Sequence, residues 1–204
     1  MGVTYTGNSP YRHEVPAVSS RSLSPKDSFG IVTTGVSSGT KMHISMRDQY
    51  PINYVYGFSS EGFSYFITTQ KKDTGTNDPF ISKLVRVCQN DSNYYSYTEI
   101  PLECVSDTTG NKFDLVQAAF VGKPGPDLAN RLDVTHSDDV LFAVFARSDP
   151  PGSSTPGHES ALCVYSLKSI RRKFVENIQL CFQGTGNRGL GFIAISSPCV
   201  PTVS

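Results

Sequence analysis

The five cysteines are the residues whose chemistry and spacing say most about this chain. Cys88, Cys104, Cys163, Cys181 and Cys199 are scattered singly, with no CxxC pair and no nearby histidine of the kind that a zinc site requires. Scattered cysteines suit disulfide bonds, which form in oxidising compartments. Because the count is odd, one thiol is either free or bonded to a cysteine outside this chain. Composition alone leaves open the alternative of buried, reduced cysteines in a cytosolic protein.

A second modification signal is the triplet formed by Asn90, Asp91 and Ser92, which matches the acceptor pattern for N-glycosylation. Such triplets also arise by chance, so the pattern supports a secreted protein only together with the cysteines. The first residues lack the basic and apolar regions of a signal peptide and by themselves indicate a cytosolic protein. A secreted protein truncated at both ends accounts for the missing signal peptide and for the odd cysteine.

Three further patterns could carry catalysis, and none has the required context. The string GTGNRG at 184–189 matches a dinucleotide fingerprint, but a strand and turn are predicted after it, and no acidic residue follows Glu176. His136 with Asp138 and Asp139 could ligate a metal, although a polar turn before a strand is the simpler interpretation. No serine or cysteine lies in a GxSxG nucleophile pattern. The sequence therefore predicts no catalytic, cofactor-binding or metal site.

The charge balance also limits the kinds of partner. Eighteen basic and eighteen acidic residues give a formal net charge of zero, which argues against binding nucleic acid or an anionic membrane through net charge. No apolar run approaches the roughly 18 residues needed to span a bilayer. We expect a protein partner, with no nucleic acid and no membrane insertion of this segment.

Short strands are the elements that must position these residues. The chain has 17 glycines and 13 prolines, and runs rich in β-branched or aromatic residues recur between turn signals. These runs predict an all-β domain built from hairpins, as in a sandwich or a propeller. Loops are predicted at 71–79 and 147–159, which are rich in Pro, Gly, Ser, Asp and Thr. The predicted strands are 30–36, 52–58, 63–69, 82–88, 94–100, 113–121, 139–146 and 161–167.

The segment 166–182 breaks the strand pattern. Its apolar residues recur at intervals of three and four, which predicts an amphipathic helix. The basic residues 171–173 fall on the polar side of that helix, and the sequence favours a solvated helix face there over a polyanion site. The apolar residues that set the period are Leu167, Ile170, Phe174 and Ile178.

Several strings, in order along nearly the whole chain, resemble the sema domain of plexins. They are YPINYVYGFSSEGFSYFITTQ, PFISKLVRVCQNDSNYYSYTEIPLEC, LVQAAFVGKPGPDLA, DDVLFAVFA and SALCVYSLKSIRRKFVENIQLCFQGTGN. The first 28 residues are less distinctive. Semaphorins share the fold, but they usually carry a tryptophan-containing strand where this chain has Tyr94 to Cys104, and the chain has no tryptophan. The resemblance therefore favours plexins over semaphorins.

This resemblance implies a fold, a location and a function. The fold would be all-β, a partial seven-bladed β-propeller with a short helical insertion at 166–182. Residues 1–204 would form middle blades of a sema domain truncated at both ends. The segment would lie on the extracellular side of the plasma membrane, in a non-enzymatic receptor for semaphorins that acts in axon guidance and cell migration. Co-receptors, or self-association of the receptor, are further partners that the resemblance implies.

The resemblance also implies a disulfide pattern. It pairs Cys104 with Cys163 and Cys181 with Cys199, and it leaves Cys88 to pair with a cysteine just beyond Ser204. A bond between Cys88 and Cys104 across a hairpin is the simpler rival. Two other functions stay open from the sequence. One is a hepatocyte growth factor receptor-like sema domain with a protease-like growth factor as ligand. The other is a propeller enzyme with a pocket in its central channel.

Overall fold

Two antiparallel sheets and one long helix dominate the computed structural model of the chain. The structure describes residues 2, 17–30, 32, 39–40, 42, 46, 49–186, 188–193 and 199. The helices are α1 (Pro126–Arg131) and α2 (Leu167–Phe182). The strands are β1 (Val18–Ser19), β2 (Gly39–Thr40), β3 (Asn53–Ser60), β4 (Phe63–Lys71), β5 (Phe80–Cys88), β6 (Thr98–Pro101), β7 (Cys104–Val105), β8 (Lys112–Phe113), β9 (Leu115–Gly122), β10 (Val140–Ser148) and β11 (Pro156–Ser166).

Both large sheets are simple meanders. The first sheet has the strand order β3-β4-β5-β6 and the second has β11-β10-β9, so every neighbouring pair is also consecutive in the chain. The two sheets contact each other through β9, which lies against β3, β4 and β5. Antiparallel meanders packed face to face are the arrangement of neighbouring blades in a β-propeller, whose blades have four strands, and the second sheet here has three. The all-β prediction is confirmed.

One hydrophobic core fills the space between the two sheets and α2. Along β4, Tyr65 and Ile67 face this core and Phe66 packs on the opposite side of the sheet, because side chains alternate along a strand. The helix contributes Leu167, Ile170 and Phe174 of the four apolar residues that set its period, whereas Ile178 is only half-buried. The buried members are Tyr65, Ile67, Leu84, Ile100, Leu102, Cys104, Phe113, Val116, Leu141, Ala143, Phe145, Leu167, Ile170 and Phe174.

A second core covers the other face of the first sheet. Val85 and Val87 of β5 face it, and the segments around 17–18, 50–52 and 190–192 pack on them. The rings of Tyr50 and Phe192 stack with centroids 4.5 Å apart. The first sheet is thus buried on both faces, as a blade between two neighbouring layers must be.

The helix α2 has well-defined ends. The side chain of Ser166 accepts a hydrogen bond from the amide of Ser169 at its N-terminus (3.3 Å). At the C-terminus, the amides of Gly184 and Thr185 donate to the carbonyls of Cys181 and Leu180. Gly184 has a φ of 74°, which glycine adopts without strain. The glycines of GTGNRG therefore begin with a helix C-cap and do not open a helix.

The structure corrects several predicted boundaries. The strand predicted at 94–100 begins only at Thr98, because the carboxylate of Asp91 accepts the amides of Asn93 and Ser96 and holds 89–97 as a turn. Tyr94 adopts a φ of 60° in that turn. The loop predicted at 147–159 is shorter, since β10 reaches Ser148 and β11 starts at Pro156.

Other predictions are incomplete or fall on residues outside the described part of the chain. The sequence did not predict α1, β1, β2 or β7, and the strand predicted at 113–121 is divided between β8 and β9. The strand predicted at 30–36 lies largely outside the described residues. Within the described residues, the structure contains no helix whose length and apolarity would suit a membrane span.

Candidate functional site

Two loops from different sheets meet at one end of the structure. The amide of Phe80, which begins β5, donates to the carbonyl of Gly152 in the β10–β11 hairpin (2.9 Å). A Cβ built on Gly152 would lie 3.3 Å from the Cβ of Pro79, so the two backbones are in close contact. We call residues 72–79 together with 149–155 the loop-end surface. The sequence predicted both loops as exposed, but not that they touch.

Polar groups in the 72–79 loop and at its base order part of its backbone. The ammonium group of Lys71 donates to the carbonyl of Thr76 (3.0 Å), and the amide of Gly75 donates to Oδ2 of Asp78 (2.7 Å). The amide of Lys72 closes the base of the loop on the carbonyl of Pro79 (2.8 Å). A loop ordered before binding loses little conformational entropy on contact with a partner.

The 149–155 hairpin is ordered in the same way. The amide of Asp149 donates to the carbonyl of Thr155 (2.9 Å), and the amide of Gly152 donates to Oγ of Ser148 (3.0 Å). The amide of Ser153 donates to the carbonyl of Pro150 (3.0 Å). The tips of both loops remain exposed, so the loop-end surface is a rigid platform of polar side chains on two packed sheets.

A buried charged network lies behind the loop-end surface. Lys83 Nζ and Glu99 Oε2 are 3.1 Å apart, with side-chain exposures of 5% and 1%. The same carboxylate accepts hydrogen bonds from Gln70 Nε2 (2.8 Å) and from the hydroxyl of Tyr97 (2.6 Å). Lys83 also donates to the hydroxyl of Tyr50 (3.3 Å). The network joins β4, β5 and β6, because Gln70, Lys83 and Glu99 meet at the Glu99 carboxylate.

The two tyrosines of this network act as neutral groups. Burial raises the pKa of Tyr50 and of Tyr97, and the Glu99 carboxylate raises both further. Tyr50 donates its proton to the carbonyl of Lys71, the last residue of β4 (2.7 Å). A cavity of about 330 Å³ reaches Lys83 and Glu99 from the loop end. The network therefore supports the base of the 72–79 loop.

The opposite end of the first sheet carries the glycosylation triplet. Asn90 is exposed in the turn that follows β5. Nine residues of β5, about 30 Å of strand, separate this turn from the loop-end surface. Cys88 lies half-buried at the end of β5 and forms no disulfide with the other four cysteines of this chain.

The disulfides join elements that are distant in sequence. Cys104 of β7 is bonded to Cys163 of β11 with Cα atoms 5.8 Å apart, and Cys181 of α2 is bonded to Cys199 with Cα atoms 4.6 Å apart. These are the pairs that the plexin resemblance implied. The rival bond between Cys88 and Cys104 is not formed.

The helix α2 ties the second sheet to the first. Phe174 packs against Tyr65, and the guanidinium of Arg86 lies 4.5 Å from the ring centroids of both Phe63 and Phe174. Asn177 Nδ2 donates to the backbone carbonyl of Glu99 on β6 (3.2 Å). The sequence predicted the helix but gave no signal for this aromatic cage around an arginine.

The three consecutive basic residues 171–173 of α2 form ion pairs within the chain. Arg171 pairs with Glu61 of the β3–β4 turn (3.0 Å), and Arg172 and Lys173 lie 3.8 Å and 3.3 Å from Glu176. This agrees with a solvated helix face. Such exposed pairs contribute little to stability.

The segment with His136, Asp138 and Asp139, which could have ligated a metal, forms a polar turn. Asp138 Oδ2 accepts hydrogen bonds from the amide (2.7 Å) and the hydroxyl (3.0 Å) of Thr135. These bonds hold the pKa of Asp138 below its usual value. The arrangement favours the simpler of the two interpretations of this segment.

One face of the second sheet is apolar and exposed. Phe120 and Leu162 are each 63% exposed, and Val144 between them is 39% exposed. The register places all three on the face that points away from the first sheet. Exposed apolar patches of this kind usually mark a contact surface.

Comparisons with known proteins place this arrangement in a family. The model of the Sema domain matches residues 116–194. The chain is 36% identical to Plexin A3 of Danio rerio over 99% of its length, and 33% identical to Plexin-A2 of Homo sapiens over 95%. It spans 11% of the length of each of these relatives. The solved structure of the full extracellular region of Plexin A4 superposes on 93% of the chain, with a TM-score of 0.75 and 32% identity, and the match covers 22% of that structure.

Proposed function

The chain belongs to the plexin branch of the sema-domain family, and from that membership we propose that it is a ligand-binding part of a cell-surface receptor for semaphorins. The segment would lie on the extracellular side of the plasma membrane and act in signalling by recognition, without catalysis. Both disulfides suit an oxidising extracellular environment.

The observation that carries a ligand-binding role is the loop-end surface. Two rigid loops from two blades are joined there by the hydrogen bond between Phe80 and Gly152 (2.9 Å). Binding residues often lie on loops that a rigid scaffold positions. The exposed tip residues Asn77, Pro151 and Ser154 could contact a partner without any rearrangement of the sheets. We assign semaphorin contact to this end.

The opposite end of the first sheet, where Asn90 lies, is suited to carry a glycan. We expect Asn90 to be glycosylated in a secretory host, because its side chain is exposed in a turn and its triplet matches the acceptor pattern. Treatment with a glycosidase should raise the gel mobility of the protein, and Asn90→Gln should abolish that shift. Equal shifts in the wild type and Asn90→Gln would exclude a glycan at this position.

The same substitution at the two ends of β5 tests the binding surface. Asn77 and Asn93 are both exposed loop residues, one at each end. We expect Asn77→Arg to weaken binding of a semaphorin ectodomain by about tenfold, because a bulky charge is added inside the contact, and Asn93→Arg to change it by less than about twofold. Surface plasmon resonance with the receptor ectodomain measures both.

Two results with these variants would contradict semaphorin contact at the loop-end surface. Loss of binding in Asn93→Arg with none in Asn77→Arg would move the contact to the glycan end. No loss in either variant would remove both ends of β5 from the contact. Thermal melting of both variants provides the control for folding, since both positions are exposed and both variants should melt like the wild type.

We further propose that the chain forms middle blades of a larger propeller, in which another blade covers Phe120, Val144 and Leu162. Burying this face would remove its exposed apolar area from water. Expressed alone, residues 1–204 should therefore aggregate or melt without a cooperative transition. A monodisperse monomer with a sharp two-state melt would contradict the proposal.

A further inference from the structure

The segment 188–193, which follows α2, lies against the base and side of the 72–79 loop. We call it the strap. Its apolar residues Leu190 and Phe192 are buried in the second core, with exposures of 5% and 0%. The amide of Ile193 donates to the carbonyl of Leu190 (3.0 Å), which closes the strap into a tight turn. The strap is thus fixed on the first sheet next to the loop.

Two glycines bring the strap into close contact with the loop. A Cβ built on Gly191 would lie 3.2 Å from Cγ2 of Thr74, closer than ordinary van der Waals contact. Gly189 has a φ of 61°, and a Cβ there would lie 3.6 Å from the carbonyl oxygen of Lys72. The strap therefore runs beside the loop at two positions, and at Gly191 it leaves no free space for a side chain.

A second route connects the strap to the same loop. Phe192 stacks on Tyr50 with an interplanar angle of 8°, and the Tyr50 hydroxyl donates to the carbonyl of Lys71, directly before the loop. Packing of the strap thus fixes the side chain that holds the start of the loop. The contact through Gly191 reaches the loop at Thr74, and the contact through Tyr50 reaches it at Lys71.

We propose that the strap positions the 72–79 loop for ligand binding, with Gly191 as the positioning residue that sets the distance to Thr74. This inference rests on the proposed binding role of the loop-end surface. Gly191 is exposed, so a side chain there need not disturb the core. A side chain at Gly191 would instead displace the loop, because the methyl group of Thr74 has to move away from it.

The test uses Gly191→Val in the receptor ectodomain. Hydrogen exchange of the amides in 72–79 should accelerate by about tenfold, because the displaced loop opens more readily. The dissociation constant for a semaphorin ectodomain should rise by about fivefold, because the loop is no longer ordered before binding. Exchange in the 89–97 turn and the melting temperature should stay at their wild-type values.

A matched control and a rescue separate positioning from general damage. Gly125 is also exposed and has no atom within 4 Å of its built Cβ, so Gly125→Val should change neither exchange nor affinity. Adding Thr74→Ser to Gly191→Val removes the Cγ2 methyl group and should restore most of the wild-type exchange. If Gly191→Val lowers the melting temperature, Gly191→Ala supplies the smaller displacement for the same measurements.

The outcomes are distinguishable. Wild-type exchange at 72–79 in Gly191→Val, or a defect that Thr74→Ser fails to rescue, would overturn the positioning role of Gly191. Altered exchange that Thr74→Ser rescues, with unchanged affinity, would keep the contact but overturn ligand binding at the loop-end surface.

Discussion

Phe174→Ala is expected to destabilise the domain by about 3–5 kcal/mol, the usual cost of removing a phenylalanine from a core. Phe174 is fully buried between the two sheets and packs edge-on against Tyr65, with ring centroids 6.1 Å apart. The substitution also removes one of the two rings around the Arg86 guanidinium, which is itself only 8% exposed. Urea denaturation of the domain that contains this chain measures the change.

The neighbouring residue provides the control. Val175 lies on the same helix and is 48% exposed, so Val175→Ala should cost less than about 0.5 kcal/mol. Similar losses in the two variants would show that the helix does not pack between the sheets as described. Loss confined to Phe174→Ala would support α2 as the element that joins them.

Glu99→Ala is expected to cost a comparable 3–5 kcal/mol or so, because it leaves the Lys83 ammonium buried without its counter-charge. Lys83 is 4% exposed, and the Tyr50 hydroxyl would be the one hydrogen-bond acceptor left to it among those described above. The substitution also removes the acceptor of Tyr97 and Gln70. The same urea denaturation measures this loss.

A double substitution separates the buried charge from the lost packing. Lys83→Met with Glu99→Gln keeps similar side-chain volumes and leaves no buried charge, so it should cost clearly less than Glu99→Ala alone. A double variant as unstable as Glu99→Ala would show that the charge pair is not the cause. In that case, the hydrogen bonds from Tyr97 and Gln70 would account for the loss.

The sequence predicted the elements that have a strong local period. Apolar residues that recur every three or four positions from Leu167 to Phe174 predicted α2, and runs of β-branched and aromatic residues predicted the strands of both sheets. The family resemblance, and not the spacing of the cysteines, implied the two disulfide pairs.

Interactions between distant positions could not be predicted from the sequence. Lys83 and Glu99 lie on adjacent strands, and nothing in the local sequence of either shows that they pair. Residues 94–97 were predicted as the start of a strand because their tyrosines favour strands, but the Asp91 side chain holds them in a turn. The contact between Phe80 and Gly152 depends on how two blades pack, which no local pattern records.

The most direct test of the proposed semaphorin-binding function is a binding titration of the ectodomain that contains this chain. Semaphorin ectodomains and a protease-like growth factor of the hepatocyte growth factor type would be compared by surface plasmon resonance on the same surface. We expect saturable binding of at least one semaphorin and none of the growth factor. Saturable binding of the growth factor, with no response to any semaphorin, would contradict the proposed function.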